Sequence, residues 1–485
     1  MRPILFAVLI ALPGALHAQR TAFTSADTSL VGRVLLAEDR RDSTDASFAQ
    51  AAQHADARLR LIATRALGRI RDARFAMRDS LPALPSPPVW AEPAWRLRLR
   101  ALTVQKTDCA ALGSALADSA WPVRLLAADL MTPSCAGDVE RATLRSWVDA
   151  LPTDASRRRA GGVSWHAAAH GEVALARVRA DDARPRLARL ATHTQWQVRM
   201  YAARAAAVLA DTTRLRALAH DPDDNVRDVA IGALFELTHH ADDDIYLTAI
   251  RGRGAQAVRA GALALKGSPR ADARVAAWEA YRQWEARGVA SARDARVALL
   301  EAAGRQASED HPPAIHAELL PQVVALALGQ DVRLRVTMAA SSGGGSFLVR
   351  LRGDVAPLMA SRILALARAR YYDGLSWHRV EHDFVIQGGS PGASEYVGLS
   401  EFMRDELGTV PHVRGTVGMS TRGHDTGDAQ WFVNLKDNRR LGSDYTVFAE
   451  VVSGVDVVDG VLEGDTIASI EEVRPPQGIT RQRTR

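Results

Sequence analysis

Near Gln330 the apolar residues of this chain change their spacing, and that change constrains the fold more than any other feature of the sequence. Upstream, apolar side chains fall three and four residues apart, the period of a helix that buries one face. Downstream, Val332, Leu334 and Val336 alternate with polar residues, a Gly/Ser run follows from Ser341 to Ser346, and Phe347-Leu348-Val349-Arg350-Leu351 alternates again. A period of two puts successive side chains on opposite faces of a strand, so the sequence predicts β structure here. A chain of 485 residues also exceeds what one core normally organises. The expected division is a helical region over 19–330, a β-rich domain over 331–475 and a disordered basic tail over 476–485.

Within the helical region one pattern recurs from about Asp56 to Gln330. Its cleanest copy is Asp223-Asp224-Asn225-Val226-Arg227, after which Val226, Val229, Ala230, Ala233, Leu234 and Leu237 form one stripe at helical period. Asp223 to Asn225 are cap-type residues, whose side-chain oxygens accept the first free backbone N–H groups. The same opening returns at Gln197-Val198-Arg199, with Val198, Tyr201, Ala202, Ala205 and Leu209 as its stripe. It returns again at Ala257-Val258-Arg259, Pro122-Val123-Arg124, Ala57-Arg58-Leu59-Arg60 and, more loosely, Ala295-Arg296-Val297. From Arg199 through Arg227 and Arg259 to Arg296 the steps are 28, 32 and 37 residues, the spacing of helical pairs with loop insertions. These units resemble HEAT repeats, which implies an all-α solenoid whose pairs bury their stripes against their neighbours in a continuous core. Pro82, Pro85, Pro87, Pro88 and Pro93 break any helix between Leu81 and Ala94, so an inserted loop is expected there.

The first residues point to export. Arg2 supplies a positive start, Ile4 to Leu12 an apolar run, and Ala15-Leu16-His17-Ala18 the small-residue spacing of a cleavage site, so 1–18 reads as a signal peptide and the protein as periplasmic or secreted. No other run approaches ~20 apolar residues, so no membrane span is expected. The 61 basic and 56 acidic residues are interleaved, leaving a net charge of +5 without a basic cluster, which argues against nucleic-acid binding. Cys109 and Cys135 are the only cysteines. They flank a predicted helical hairpin, Ala110 to Leu116 and Val123 to Met131, whose antiparallel packing brings them together as a disulfide candidate in an oxidising compartment.

Several isolated signals lead nowhere. His166 and His170 have the i, i+4 spacing of zinc ligands, but Ala167 stands where a metalloprotease needs Glu. His239-His240 beside Asp242, Asp243 and Asp244 reads as a solvated loop. Gly343 to Gly345 lacks the Lys of a phosphate loop. No metal or cofactor is expected.

The stretch from Tyr371 to Val451 differs in kind. Tyr371-Tyr372-Asp373-Gly374-Leu375 leads into Trp377-His378-Arg379-Val380 and then Asp383-Phe384-Val385-Ile386-Gln387-Gly388-Gly389. Gly415-Thr416-Val417-Gly418-Met419-Ser420, Gln430-Trp431-Phe432-Val433 and Tyr445-Thr446-Val447-Phe448-Ala449-Glu450-Val451 follow. These blocks, in this order and with these gaps, resemble the cyclophilin family over about Leu334 to Val473. The resemblance implies a closed antiparallel β-barrel with capping helices, Leu358 to Ala369 forming the first of them with Leu358, Ile363, Leu364 and Ala367 facing the barrel. It also implies a site. Arg379 matches the family's catalytic arginine, with Gln387 as its companion. Phe384, Val385, Phe432, Leu441 and Tyr445 match the proline pocket and its rim, Gln430 the polar residue beside it, and Ser420, Thr421 and Arg422 the segment that pairs with substrate. Three departures stand out: Glu381-His382-Asp383 replaces a commoner x-Pro-Gly turn, Tyr445 replaces a frequent His, and Arg440 stands where cyclosporin-sensitive members carry Trp.

These residue types suffice for the chemistry. Amide resonance sets a barrier of about 18–20 kcal/mol to rotation, and X–Pro isomerisation without help takes tens to hundreds of seconds. At the twisted transition state resonance is lost and the prolyl nitrogen carries a localised lone pair. A donor aimed at that nitrogen stabilises the twisted form above either planar isomer. On this resemblance Arg379 is the candidate donor, and an apolar pocket of Phe384, Val385, Phe432 and Leu441 would grip the proline ring. The expected function is peptidyl-prolyl isomerisation in exported proteins, with the helical array as a protein-binding scaffold. The alternatives are a catalytically weak module that binds proline-containing peptides, and an array that itself scaffolds an envelope assembly.

Overall fold

The computed structural model describes residues 23–71, 86–151, 165–315 and 319–473. The expected signal peptide, the basic tail, and Pro82 and Pro85 lie outside them. Three helices open the described chain: α1 (Ser25–Asp39), α2 (Ala46–Ala52) and α3 (Ala57–Arg71). A long run follows after the proline segment: α4 (Ala94–Val104), α5 (Cys109–Ala115), α6 (Trp121–Leu130), α7 (Asp138–Asp149), α8 (Trp165–Val178), α9 (Ala180–Ala191), α10 (Trp196–Val208) and α11 (Thr212–Leu218). It continues through α12 (Asp224–Thr238), α13 (Asp243–Ile250), α14 (Ala255–Leu265), α15 (Ala271–Ala286) and α16 (Arg293–Ala302), and the short α17 (Val323–Ala327) precedes the sheet.

The stripes read from the sequence are largely the buried faces. Val198, Tyr201, Ala202, Ala205 and Leu209 are all buried, as are Val226, Ala230 and Leu234. Leu237 is exposed and Ile231 is buried in its place, because the buried face drifts around α12 where it meets helices on both sides. Asp223 caps α12 by accepting from the Asn225 N–H.

The structure also supplies a reason for the recurring arginine. Arg60, Arg199 and Arg227 each reach back six residues to a backbone carbonyl, at His54 (2.6 Å), His193 (2.8 Å) and Asp221 (2.6 Å). Arg124 does the same to Asp118. Each clip supplies a charged donor to a carbonyl in the turn before its helix, where backbone groups lack helical partners.

The helical region has two cores rather than one continuous core. The main cluster runs from Leu99 to Ala302 through α4–α16. A separate cluster joins α1–α3 residues such as Leu30, Val34, Leu59 and Ala66 to Val323 of α17. The chain thus returns to its own beginning before entering the sheet. Period 3.6 says which face of a helix is apolar, not which helix covers it. Cys109 and Cys135 form a disulfide that ties the start of α5 to the turn after α6. The His239–His240 segment is a 3₁₀ turn solvated on one side only: His239 and Asp244 are exposed, while His240 pairs with buried Asp243 (3.1 Å) and Arg216 forks onto buried Asp242.

The sheet has eight strands: β1 (Arg333–Met338), β2 (Ser346–Leu351), β3 (Arg379–Val380), β4 (Val385–Gly388), β5 (Thr416–Met419), β6 (Trp431–Asn434), β7 (Val447–Ser453) and β8 (Ile467–Val473). Every pairing is antiparallel, in the order β3-β4-β6-β5-β7-β2-β1-β8. Leu334, Val336 and Met338 of β1 and Phe347, Val349 and Leu351 of β2 face the core in alternation. Gly343, Gly344 and Gly345 between them all have positive φ, a conformation that side chains with a Cβ resist. The expected closed barrel is instead a curled sheet, because β3 and β8 at its two ends do not pair as strands. The seam is carried by the segment before β3 meeting the start of β8 and the residues just before it: Gly374 N–H donates to Ile467 O and Trp377 N–H to Asp465 O. Helix α18 (Pro357–Arg368) buries Ile363, Leu364 and Ala367 against the sheet, while Leu358 lies at the junction with the α1–α3 cluster.

Helices and sheet are locked by buried charge. Arg96 of α4 is 0 % exposed; it donates to His382 O (2.8 Å), Leu435 O (2.9 Å) and Asp459 (2.8 Å). Arg414 grips the same Asp459 at 2.7 and 2.9 Å. Arg69 of α3 bonds Leu407 O, Val355 O and Glu38. Trp90 of the proline segment lies so close over Gly415 that a Cβ there would fall 2.6 Å from its ring. The described part of this segment, residues 86–93, thus packs on the sheet domain, with Trp90 Nε1 donating to Val451 O (3.3 Å) and Ala91 O accepting from Arg414 (3.2 Å).

Candidate active site

Strands β3 and β4 pair so that Arg379 stands opposite Gln387, and β4 and β6 so that Gln387 stands opposite Phe432. This register lines up the expected residues. The Arg379 guanidinium donates through Nη1 to Gln387 Oε1 (3.3 Å), and Gln387 Nε2 donates to Gln430 Oε1 (3.4 Å). Gln430 in turn donates to the carbonyls of Glu395 (3.2 Å) and Val397 (3.1 Å). Arg379 is thus the accessible end of a relay of side-chain amides whose inner members are buried.

Beside it, Val385, Phe432 and Leu441 form a small apolar cluster with half-buried Phe384 and Tyr445. Gly418 makes room for it, since a Cβ there would meet the Phe432 ring at 2.4 Å. Tyr445 stands edge-on to Phe432, their centroids 5.7 Å apart. The cluster is separate from the main sheet core.

In the 420–422 segment, Ser420 N–H donates to Gln430 O and Arg422 N–H to Thr426 Oγ1. Thr421 lies between these two anchored residues. The Arg422 side chain turns away from the pocket, onto Asp294 (2.5 Å) and Ser291 O (2.9 Å) beside α16.

Several contributors had no signal in the sequence blocks. His412 stacks on Phe432 (5.7 Å, 21°); it accepts at Nδ1 from Asn434 (3.1 Å) and donates from Nε2 to Tyr445 O (3.0 Å). Burial pushes its pKa down, so it supports the pocket as a neutral ring. Asn438 donates to Phe384 O (3.1 Å) and to Asn434 Oδ1. Glu381, noted in the sequence only as a departure, accepts from Arg379 Nε (2.9 Å) and Nη2. The same turn carries His382 and Asp383, which meet helix α4 through Arg96 and Arg100 (2.5 Å to Asp383). The unusual turn is where the array grips the hairpin that carries Arg379. His166 and His170 also serve the junction: His166 Nε2 donates to Glu463 O (2.6 Å), and His170 lies between Asp129 (2.7 Å) and the Tyr201 hydroxyl (3.0 Å). Among the described residues no group of three or more His, Cys, Asp or Glu is placed to hold a metal ion.

The family described as cyclophilin type peptidyl-prolyl cis-trans isomerase matches residues 335–482. A peptidyl-prolyl cis-trans isomerase of Helicobacter pylori is 35% identical over 130 residues, which are 26% of this chain and 80% of that protein. Peptidyl-prolyl cis-trans isomerase B of Bacillus subtilis is 31% identical over 129 residues, 26% of this chain and 90% of the relative. Peptidyl-prolyl cis-trans isomerase ppi1 of Schizosaccharomyces pombe is 36% identical over 118 residues, 23% and 76% of the two chains. The match falls on the strands that carry Arg379, Gln387 and Phe432, and through this C-terminal domain the chain belongs to the cyclophilin-type peptidyl-prolyl cis–trans isomerase family.

Proposed function

We propose that the protein isomerises X–Pro bonds in extended segments of exported polypeptides, with Arg379 as the donor to the prolyl nitrogen. The observation that carries this reading is the register that sets Arg379 beside Gln387 and above the Phe384, Val385, Phe432, Leu441 and Tyr445 patch. As the amide twists, its nitrogen gains a lone pair that the planar isomers lack, and a guanidinium donor in a site from which a proline ring has expelled water acts on that lone pair alone. Gln387 holds the guanidinium, Gln430 holds Gln387, and Ser420 to Arg422 carry the substrate backbone. In this reading 331–475 is the catalytic domain and 19–330 a HEAT-like scaffold that binds protein partners, and the start of the chain directs it to the periplasm or outside the cell.

One observation favours the weaker alternative, a module that binds proline-containing peptides with little turnover: the Glu381 carboxylate occupies two donor positions of Arg379. Both groups are about half exposed, at 42% and 50%, so the pair is screened and exchanges readily for a substrate. Protease-coupled isomerisation assays on the full chain decide. Arg379→Ala lowers kcat/KM by about 10²-fold or more with the fold unchanged. Parental activity in the folded variant assigns catalysis elsewhere.

A further inference from the structure

The site is bordered by the loop that receives Gln430 and by the 420–422 segment, and both lean on the helical region. Ahead of α16, Ala290 N–H donates to Ser400 O (2.9 Å) and Ser291 N–H to Leu399 O (3.3 Å). Asn225, at the start of α12, donates to Gly392 O (3.0 Å), and the Arg259 guanidinium of α14 lies over the Tyr396 ring at 3.9 Å. The array thus meets this loop on either side of the Glu395 and Val397 carbonyls that Gln430 uses.

Arg422 joins that loop to the 420–422 segment. Its guanidinium donates to Asp294 Oδ2 of α16 (2.5 Å), to Ser291 O (2.9 Å) and to Glu395 O. The side chain is only 16% exposed in this arrangement, while Gly423 and His424 just beyond it are exposed. Ser420 N–H fixes the near end of the segment to Gln430 O; the Arg422 side chain fixes the far end to the array. An acidic residue in the first turn of a helix ordinarily answers the helix dipole. The Asp294 carboxylate does more: it accepts from a guanidinium 128 positions later in the chain, a charge-assisted bond of the stronger kind.

We propose that Asp294 is a positioning residue for the isomerase site: from the array it holds Arg422, and through Arg422 it sets the segment that carries the substrate backbone. The proposal rests on the isomerase reading for the role of that segment. With the clamp in place, a polypeptide laid along Ser420 to Arg422 meets a segment already ordered by folding. Without it, the cost of ordering falls on binding, and affinity drops. Arg379 is steadied by Gln387 and Glu381 on another part of the sheet, so the chemical step itself is spared.

The test uses the full chain with Asp294→Ala, Arg422→Ala and both together. The protease-coupled assay supplies kcat and KM, and titration with a proline-containing peptide supplies Kd. Asp294→Ala raises KM and Kd by about fivefold or more, with kcat within about twofold of the parental value. In an Arg422→Ala background the same substitution adds less than about twofold, because either change breaks the same link. Unchanged unfolding midpoints exclude loss of the fold. Should Asp294→Ala not fold, Asp294→Asn, which keeps the shape and removes the charge, raises KM by at least about twofold. Unchanged KM, a loss confined to kcat, or independent effects of the two substitutions overturns the positioning role, while Arg379-dependent turnover still stands. If the parental chain binds the peptide without turnover and Kd still responds to Asp294→Ala, the positioning role is supported and the isomerase reading fails.

Discussion

In the helical region an arginine spends its guanidinium close to home: Arg60, Arg199 and Arg227 each bond a carbonyl six residues earlier. Where the helices meet the sheet the same residue type reaches across hundreds of positions. Arg96 joins α4 to the carbonyls of His382 and Leu435 and to Asp459, and is fully buried there. Arg379 follows neither habit. Its ion pair with Glu381 is half open to water, and only Gln387 steadies it from within. Burial with fixed partners marks an arginine that holds the molecule together; exposure above a buried relay leaves Arg379 open to solvent, as the proposed catalytic role requires.

The comparison breaks if these three kinds of arginine cost the same to remove. Arg96→Ala takes away one cation of a buried cluster and leaves the His382 carbonyl unanswered. Denaturant titration of the full chain should show a loss of about 3 kcal/mol or more. Glu172 sharpens the same point from the acidic side. Glu450 is fully buried but paired with Arg350 and Arg352, whereas neither carboxylate oxygen of equally buried Glu172, in α8, has a hydrogen-bond partner. Burial raises the Glu172 pKa from 4.5 to about 8. The folded state therefore holds that proton more tightly than the unfolded chain does. Its stabilising share is complete below about pH 4.5 and is lost as pH rises through about 8. Glu172→Gln should add about 4 kcal/mol at pH 8 and almost nothing at pH 4.5, read from unfolding curves at both pH values. Arg227→Ala removes one local clip and should cost about 1 kcal/mol. Arg379→Ala should change unfolding free energy by no more than about 0.5 kcal/mol, against its large effect on rate. A stability loss near that of Arg96→Ala would make Arg379 a structural residue.

The cluster of Val385, Phe432 and Leu441 with Phe384 and Tyr445 was legible in the sequence because its residues sit at fixed spacings along a few short strands. Register then brought Arg379, Gln387, Gln430 and Phe432 together. His412 and Asn438 left no trace, because each acts through a single contact made across the fold. The helices were legible as stripes and as Val-Arg openings, yet not the reason for the arginine, nor the division into two cores. Glu381-His382-Asp383 could be seen as unusual, but its cause is a helix almost 300 positions earlier. The closed barrel failed for a related reason: alternation predicts strands and is silent about whether the last one meets the first.

The return of α17 to the α1–α3 cluster sets an order of events during synthesis. Those first helices emerge early, but Val323, the residue that completes their core, follows almost 300 residues later. At about 5–20 residues per second, the opening segment waits roughly 15–60 seconds without the α17 residues that close its core. Over that interval a protein proposed to assist the folding of others carries an unfinished core of its own.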